Sequence, residues 1–249
     1  MREHEGYERC AEALRAALFS ANIELPANQS ELLARHLALV IRKNETVNLT
    51  RITSVEDGAY LHVVDSLLLR GAFDAAPSGR FVDVGTGAGF PGIPLAVVTG
   101  RGALLLDSVG KKVAAVREFV RELGLDGQVE AKQERVEELG RAQRGQYAVV
   151  TARAVAQTNV LVEYASPLLR KGGRLVVAKA RPSEDEVDAA NRAARLCGMR
   201  FVSRETFELP EGRGHREVLS YERVGRPSLR LPRAVGVAKR SPLGVEGDA

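Results

Sequence analysis

Phe81-Val82-Asp83-Val84-Gly85-Thr86-Gly87-Ala88-Gly89-Phe90-Pro91-Gly92 is the stretch that decides the fold. A short apolar run reaches an acid, three glycines follow at alternate positions, and a proline stands where the first turn of a helix can take it. That order predicts a buried parallel strand, a tight turn and a helix start. Glycines admit positive φ and let a ligand approach without a Cβ in the way. The N–H groups of a turn running into a helix favour polar or negative ligand groups. The dinucleotide fingerprint spaces its glycines G-x-G-x-x-G. Here the spacing is G-x-G-x-G with Asp83 two residues ahead, a different arrangement.

Downstream of the glycines the pattern alternates strand and helix. Ala103–Leu106 reads as a strand ending in Asp107, 109–123 as a helix, and 128–131 as a third strand. Tyr147–Val150 is a fourth strand opening into Thr151-Ala152-Arg153-Ala154. A helix near 158–169, a strand at 174–179, a helix at 184–196 and two strands at 200–209 and 215–222 complete the order. This predicts an α/β protein with a doubly wound Rossmann-like sheet, helices on both faces, and ligand at the carboxyl ends of the strands. Upstream, apolar residues at helical spacing predict helices over 7–21, from a cap at Asn28 or Ser30, and over 55–70. The expected organisation is an N-terminal helical extension (1–75), a ligand-binding domain (76–224) and a basic C-terminal tail (225–249).

With 249 residues and 45% apolar content, the chain can bury one sizeable α/β domain and an attachment. No apolar run approaches the roughly eighteen residues needed to span a bilayer, and the charged start Met1-Arg2-Glu3-His4-Glu5 leads into no signal-type segment. Cys10 and Cys197 stand alone, which suggests neither disulfide nor zinc site and fits a reducing cytoplasm. Every charged residue from Arg223 to Arg240 is Lys or Arg. Such a segment is either an electrostatic footprint for nucleic acid or a solubilising tail.

Asp107 lies twenty-two residues beyond Gly85. A carboxylate there can accept both ribose hydroxyls of an adenosine, or cap the following helix. Arg153, just past the fourth strand, suits a phosphate or a guanine O6, and otherwise a surface ion pair; Lys179 carries the same two readings. His62 and Asp65, at i and i+3, form either a substrate-facing pair or, the reading favoured here, a hydrogen bond that fixes helix to sheet. Glu137 and Glu138 read as a solvated helix turn. Absences narrow the chemistry: no cysteine lies near the fourth strand to attack a pyrimidine, and no Asn/Asp-Pro-Pro-aromatic turn follows it. An acceptor that is already nucleophilic remains, in a nucleic acid.

The glycine loop resembles the first motif of class I S-adenosylmethionine-dependent methyltransferases. Further stretches extend the likeness: Asn48-Leu49-Thr50, His62-Val63-Val64-Asp65-Ser66, the loop through Pro94, Leu106-Asp107-Ser108-Val109-Gly110-Lys111-Lys112, Arg135-Val136-Glu137-Glu138 and Ala152-Arg153-Ala154-Val155-Ala156. In this order they resemble the glucose-inhibited division protein B family of bacterial small-subunit rRNA methyltransferases. The resemblance implies methylation of one guanine N7 in 16S ribosomal RNA or the small ribosomal subunit, by a cytoplasmic monomer that uses S-adenosylmethionine and no metal. It implies that Asp83, Gly85, Thr86, Gly87, Gly89 and Phe90 hold the methionine part, Asp107 and Ser108 the ribose, and Glu134 and Arg135 the adenine. Arg153 is then the catalytic residue beside the cofactor, with Lys179, His62 and Asp65 toward the RNA. Two positions depart from the family pattern: Lys43-Asn44 stands where Trp-Asn is frequent, and Ala180 follows Lys179 where glycine is usual.

Overall fold

The computed structural model describes residues 2–245. Seven strands form one sheet in the order β3-β2-β1-β4-β5-β7-β6: β1 (Phe81–Val84), β2 (Ala103–Asp107), β3 (Val129–Gln133), β4 (Tyr147–Arg153), β5 (Leu169–Lys179), β6 (Met199–Leu209) and β7 (Gly214–Arg223). The first five run parallel, and β7 lies antiparallel between β5 and β6. Residues of β1 and β2 are buried throughout, as continuous apolar runs must be when helices cover both faces. Because side chains alternate along a strand, Phe81, Leu105, Val149 and Val176 join one core while Val82, Leu104, Val150 and Val177 join the other.

The first layer holds α1 (Arg2–Ser20), α2 (Ala27–Asn44), α3 (Val55–Gly58), a π-helical turn (Ala59–Val64), α4 (Asp65–Leu67), α5 (Arg70–Asp74), α6 (Gly92–Thr99) and α7 (Gly110–Glu122). The second holds α8 (Val136–Ala142), α9 (Thr158–Leu168), α10 (Glu184–Leu196) and α11 (Val237–Arg240). The N-terminal helices share their core with α6 and α7, and Lys43 reaches Glu118 across that seam.

Local expectations shift in four places. Helix α2 begins behind Pro26, whose carbonyl takes the first helical N–H groups, so neither Asn28 nor Ser30 caps it. Pro91 precedes α6 as its cap residue and does not enter its first turn. The third strand runs two residues later, to Gln133, because its pairing follows β2 down to Asp107. The helix expected over 55–70 is interrupted by the π-turn, where the Asp65 N–H bonds to Tyr60 O, five residues back. Such turns recur at functional sites, and here Leu61 O accepts a hydrogen bond from Arg153.

Asn44 fixes the connection between α2 and that helix. Its Oδ1 accepts from Leu49 N (2.8 Å) and Thr50 N (3.0 Å), and its Nδ2 donates to Thr50 O at 3.0 Å. Replacing Asn44 by alanine should destabilise the fold by about 1–3 kcal/mol, the cost of leaving such groups unpaired, read as a lower midpoint in chemical denaturation.

Candidate functional site

The glycine loop leaves β1 and is tied down from the neighbouring strand. Gly85 N and Thr86 N donate to Leu106 O, and Gly87 N donates to Asp107 Oδ2 at 3.1 Å. Gly87 has φ +61, and a Cβ there would point into open space with only Gly85 O within reach, at 3.9 Å. Its missing side chain therefore serves the backbone conformation, not internal packing, and leaves open space beside the loop. Asp107 Oδ1 accepts from Val109 N at 2.9 Å, so one carboxylate braces the loop and opens α7 together.

Asp83 lies behind the loop. Its Oδ2 accepts from Gly92 N at 3.0 Å while Oδ1 is buried without a hydrogen-bond partner. Burial pushes its pKa up to about 7, against the pull of the Gly92 N–H.

Beside the loop runs a narrow cavity of about 130 Å³, lined by Gly85, Asp107, Ser108, Glu134, Arg135 and Val155 among others. The four residues expected around an adenosine, Asp107, Ser108, Glu134 and Arg135, thus share one cavity with Gly85 of the loop. Lys132 pairs with Glu134 at 3.1 Å. Glu137 corrects the expectation of a solvated turn: it is buried, and its Oε1 accepts from Gly236 N at 2.8 Å. The tail makes this wall. Arg144 donates to Leu231 O, Arg141 to Arg233 O and Lys239 to Val155 O, and Arg233 grips Glu163 with two nitrogens. Arg223 is occupied likewise by Cys197 O and Gly198 O. Part of the basic segment is therefore structural, because its charges answer carbonyls and a buried acid of its own chain; Arg226, Arg230, Lys239 and Arg240 keep exposed side chains.

Across the β4 end lies a second, wider cleft of about 640 Å³, lined by Thr50, Arg51, His62, Asp65, Arg153, Lys179, Arg181 and Arg216 with several small residues. Arg153 is held from three sides. Nη1 donates to Asp65 Oδ2 at 2.6 Å and Leu61 O at 2.9 Å, and Nη2 donates to His62 Nδ1 at 3.2 Å. A guanidinium cannot accept a hydrogen bond, so His62 Nδ1 carries the lone pair and Nε2–H donates to Thr50 Oγ1 at 3.0 Å. Burial and the nearby Arg153 push the His62 pKa down to about 3. His62 and Asp65 do not bond each other, as the i, i+3 spacing suggested. They share Arg153 instead.

The His62 ring stacks on Phe90 at 4.5 Å, and Arg153 lies 5.8 Å from that ring. Phe90 thus joins the glycine loop to the cleft. Ala154, with φ +56, and Val155, whose side chain overlies Gly85, form the partition between the two cavities.

Lys179 Nζ pairs with Glu186 at 2.7 Å and donates to Ala156 O. Sequence reasoning missed Arg216, whose Nε donates to Asp65 Oδ1 at 2.7 Å, and the exposed Arg51 and Arg181 at the cleft mouth. Arg51 follows Asn48-Leu49-Thr50 and Arg181 lies two residues past Lys179, so proximity to quoted motifs was their only signal. Among the described residues no His, Cys, Asp or Glu cluster is arranged to hold a metal, and no helix is long and apolar enough to cross a membrane.

Comparison with known proteins points the same way. A protein of Deinococcus radiodurans named ribosomal RNA small subunit methyltransferase G is 41% identical over 220 residues, 87% of this chain and 87% of its own. One of the same name from Chloroflexus aggregans is 39% identical over 224 residues, 89% of this chain and 93% of its own. Among solved structures, a Corynebacterium glutamicum protein covers 86% of this chain and 97% of its own at TM-score 0.54 and 17% identity. Geranyl diphosphate methyltransferase in complex with GPP and sinefungin covers 65% and 78% at TM-score 0.52 and 15% identity. These two show a shared fold. Residues 29–214 match the family model described as GidB, rRNA small subunit methyltransferase G, and with relatives near 40% identity along most of its length the chain belongs to that family.

Proposed function

We propose that this protein methylates N7 of one guanine in 16S ribosomal RNA, near the decoding centre, using S-adenosylmethionine. The observation that carries the reading is the placement of two cavities on either side of one partition, a glycine-loop cavity ending at Asp107 and a cleft centred on a fixed guanidinium. The first fits the cofactor. Gly87 offers an open approach, Asp107 stands where ribose hydroxyls need acceptors, and Glu134 and Arg135 flank the place for an adenine. Gly85, Thr86, Gly87, Gly89 and Phe90 would hold the methionine side, and Ser108 the ribose edge. When bound, S-adenosylmethionine supplies an electrophilic methyl on a sulfonium.

Guanine N7 presents a lone pair on the base edge and has no proton to lose at neutral pH, so the protein has no base to provide. Its task is to hold nucleophile, methyl carbon and sulfur in line, a kind of positioning that supplies roughly 7–11 kcal/mol in well-oriented cases. Arg153, immobilised by Asp65, His62 and Leu61 O, would grip O6 or a phosphate and leave N7 open. Lys179 completes the wall, and Arg51 and Arg181 meet RNA phosphates at the mouth. The reaction belongs in the cytoplasm, on the small subunit or its rRNA. The direct test is to map N7-methylguanine in 16S rRNA from cells with and without the gene; an unchanged map would remove the assignment.

Four further outcomes follow from the roles. Asp107→Ala removes charge-assisted hydrogen bonds worth about 1.5–3 kcal/mol each and should weaken cofactor binding tenfold or more, while Gly87→Val, a branched residue at positive φ in ligand space, should abolish it; calorimetry on the folded variants decides. Arg153→Ala should lower turnover about a hundredfold or more with cofactor affinity kept, and Arg153→Lys should recover little, since one ammonium cannot serve three partners in a plane.

The pH dependence has a definite form. His62, at about 3, stays neutral throughout pH 6–8, so single-turnover rates at saturation should be flat there. Asp83, raised to about 7, is neutral below that pH and anionic above it. Affinity for the cationic cofactor should therefore rise with pH through neutrality, and Asp83→Asn should flatten that rise.

A further inference from the structure

We propose that His36, from the N-terminal helices, is a positioning residue for the glycine loop, fixing through Ala88 the backbone that receives the cofactor. The proposal rests on the reading of that loop as the S-adenosylmethionine site. His36 sits on α2, fifty-two residues before Ala88, and is fully buried. Its Nε2 lies 3.0 Å from Ala88 O. A carbonyl only accepts, so Nε2 carries the hydrogen and Nδ1, which is buried without a partner, carries the lone pair. A polar ring placed in an apolar layer with half its hydrogen-bonding capacity unused is not explained by packing alone, because phenylalanine would fill the volume without that cost.

The ring touches three successive loop residues. It bonds Ala88, lies 4.4 Å from the Phe90 ring, and would stand 3.1 Å from a Cβ at Gly89. On its other side it meets Phe119 of α7 edge-on at 5.8 Å. The loop needs an outside hold. Gly85, Gly87 and Gly89 all take positive φ, and each has more backbone freedom to lose than any other residue type. The sheet restrains the start of the loop through Leu106 O and Asp107, whereas the His36 bond grips its second half from a different layer. Burial pushes the His36 pKa down to about 4, so the ring stays neutral across the physiological range.

Two substitutions separate hydrogen bond from packing. His36→Phe keeps a ring against Phe90 and Phe119 and removes the donor. His36→Gln discards the ring and can place an amide nitrogen where Nε2 was, the same number of bonds from Cα. Calorimetric titration with S-adenosylmethionine and steady-state kinetics would be run on both, with circular dichroism to confirm the fold. His36→Phe should weaken cofactor binding about fivefold, as expected for one lost buried hydrogen bond, and raise the cofactor KM with kcat held. His36→Gln should recover most of that loss even where its melting temperature is the lower of the two. Equal cofactor affinity in His36→Phe and the parent protein, or a His36→Gln that binds no better than His36→Phe, would overturn the proposal. Failure of the parent protein itself to bind S-adenosylmethionine would instead overturn the reading of the loop, and the proposal with it.

Discussion

The Asp65 carboxylate is the point on which the cleft depends. One oxygen takes Arg153 from β4 and the other takes Arg216 from β7, while the residue itself belongs to α4 in the N-terminal layer. Three elements far apart in sequence are brought to one small anion. A buried arrangement of this kind adds little net stability, since desolvation offsets most of the Coulomb attraction, but removing one member leaves an uncompensated charge and costs about 3–5 kcal/mol. Its value lies in orientation. With Leu61 O and His62 completing the set, the guanidinium plane is determined before any substrate arrives, which is what preorganised electrostatics requires.

The helical extension is therefore part of the site and not an appendage. It supplies the acceptors around Arg153, the ring stacked on Phe90 and the Thr50 hydroxyl that accepts from His62 Nε2. The π-turn matters here. By sending Asp65 N back to Tyr60 it takes Leu61 O out of the ordinary helical pairing, and the carbonyl faces β4. A regular helix over the same residues would pair that carbonyl with Asp65 N and rotate Asp65 relative to His62.

The alternation of strands and helices, the glycine loop and Asp107 were legible in the sequence because each rests on local chemistry: apolar runs, positive φ, an acid at a strand end. The parallel part of the sheet, β3-β2-β1-β4-β5, is the order of a doubly wound fold, whereas β7 lying antiparallel between β5 and β6 rests on long-range pairing. The rest depended on where distant segments land. Arg216 reads as one more charge in a terminal strand until β7 pairs beside β5. His36 reads as an occasional polar residue on an apolar helix face until that face meets Ala88. Glu137 was misjudged as solvated because its partner, Gly236 N, lies ninety-nine residues away, and the structural share of the basic tail, Arg233 on the buried Glu163, was hidden for the same reason.

The partition formed by Ala154 and Val155 has a consequence for how the two cavities communicate. Ala154 occupies the left-handed region that a non-glycine residue takes only at a cost of order 1 kcal/mol, so the segment is held there by its surroundings. Val155 overlies Gly85 on one side, and Arg153 opens the cleft on the other. A wall shared by two ligands is a thermodynamic link between them: if filling the narrow cavity moves it, affinity in the wide cleft changes, and linkage makes the effect equal in the opposite direction. Coupling of that kind would run through three consecutive residues, Arg153, Ala154 and Val155, at the end of β4.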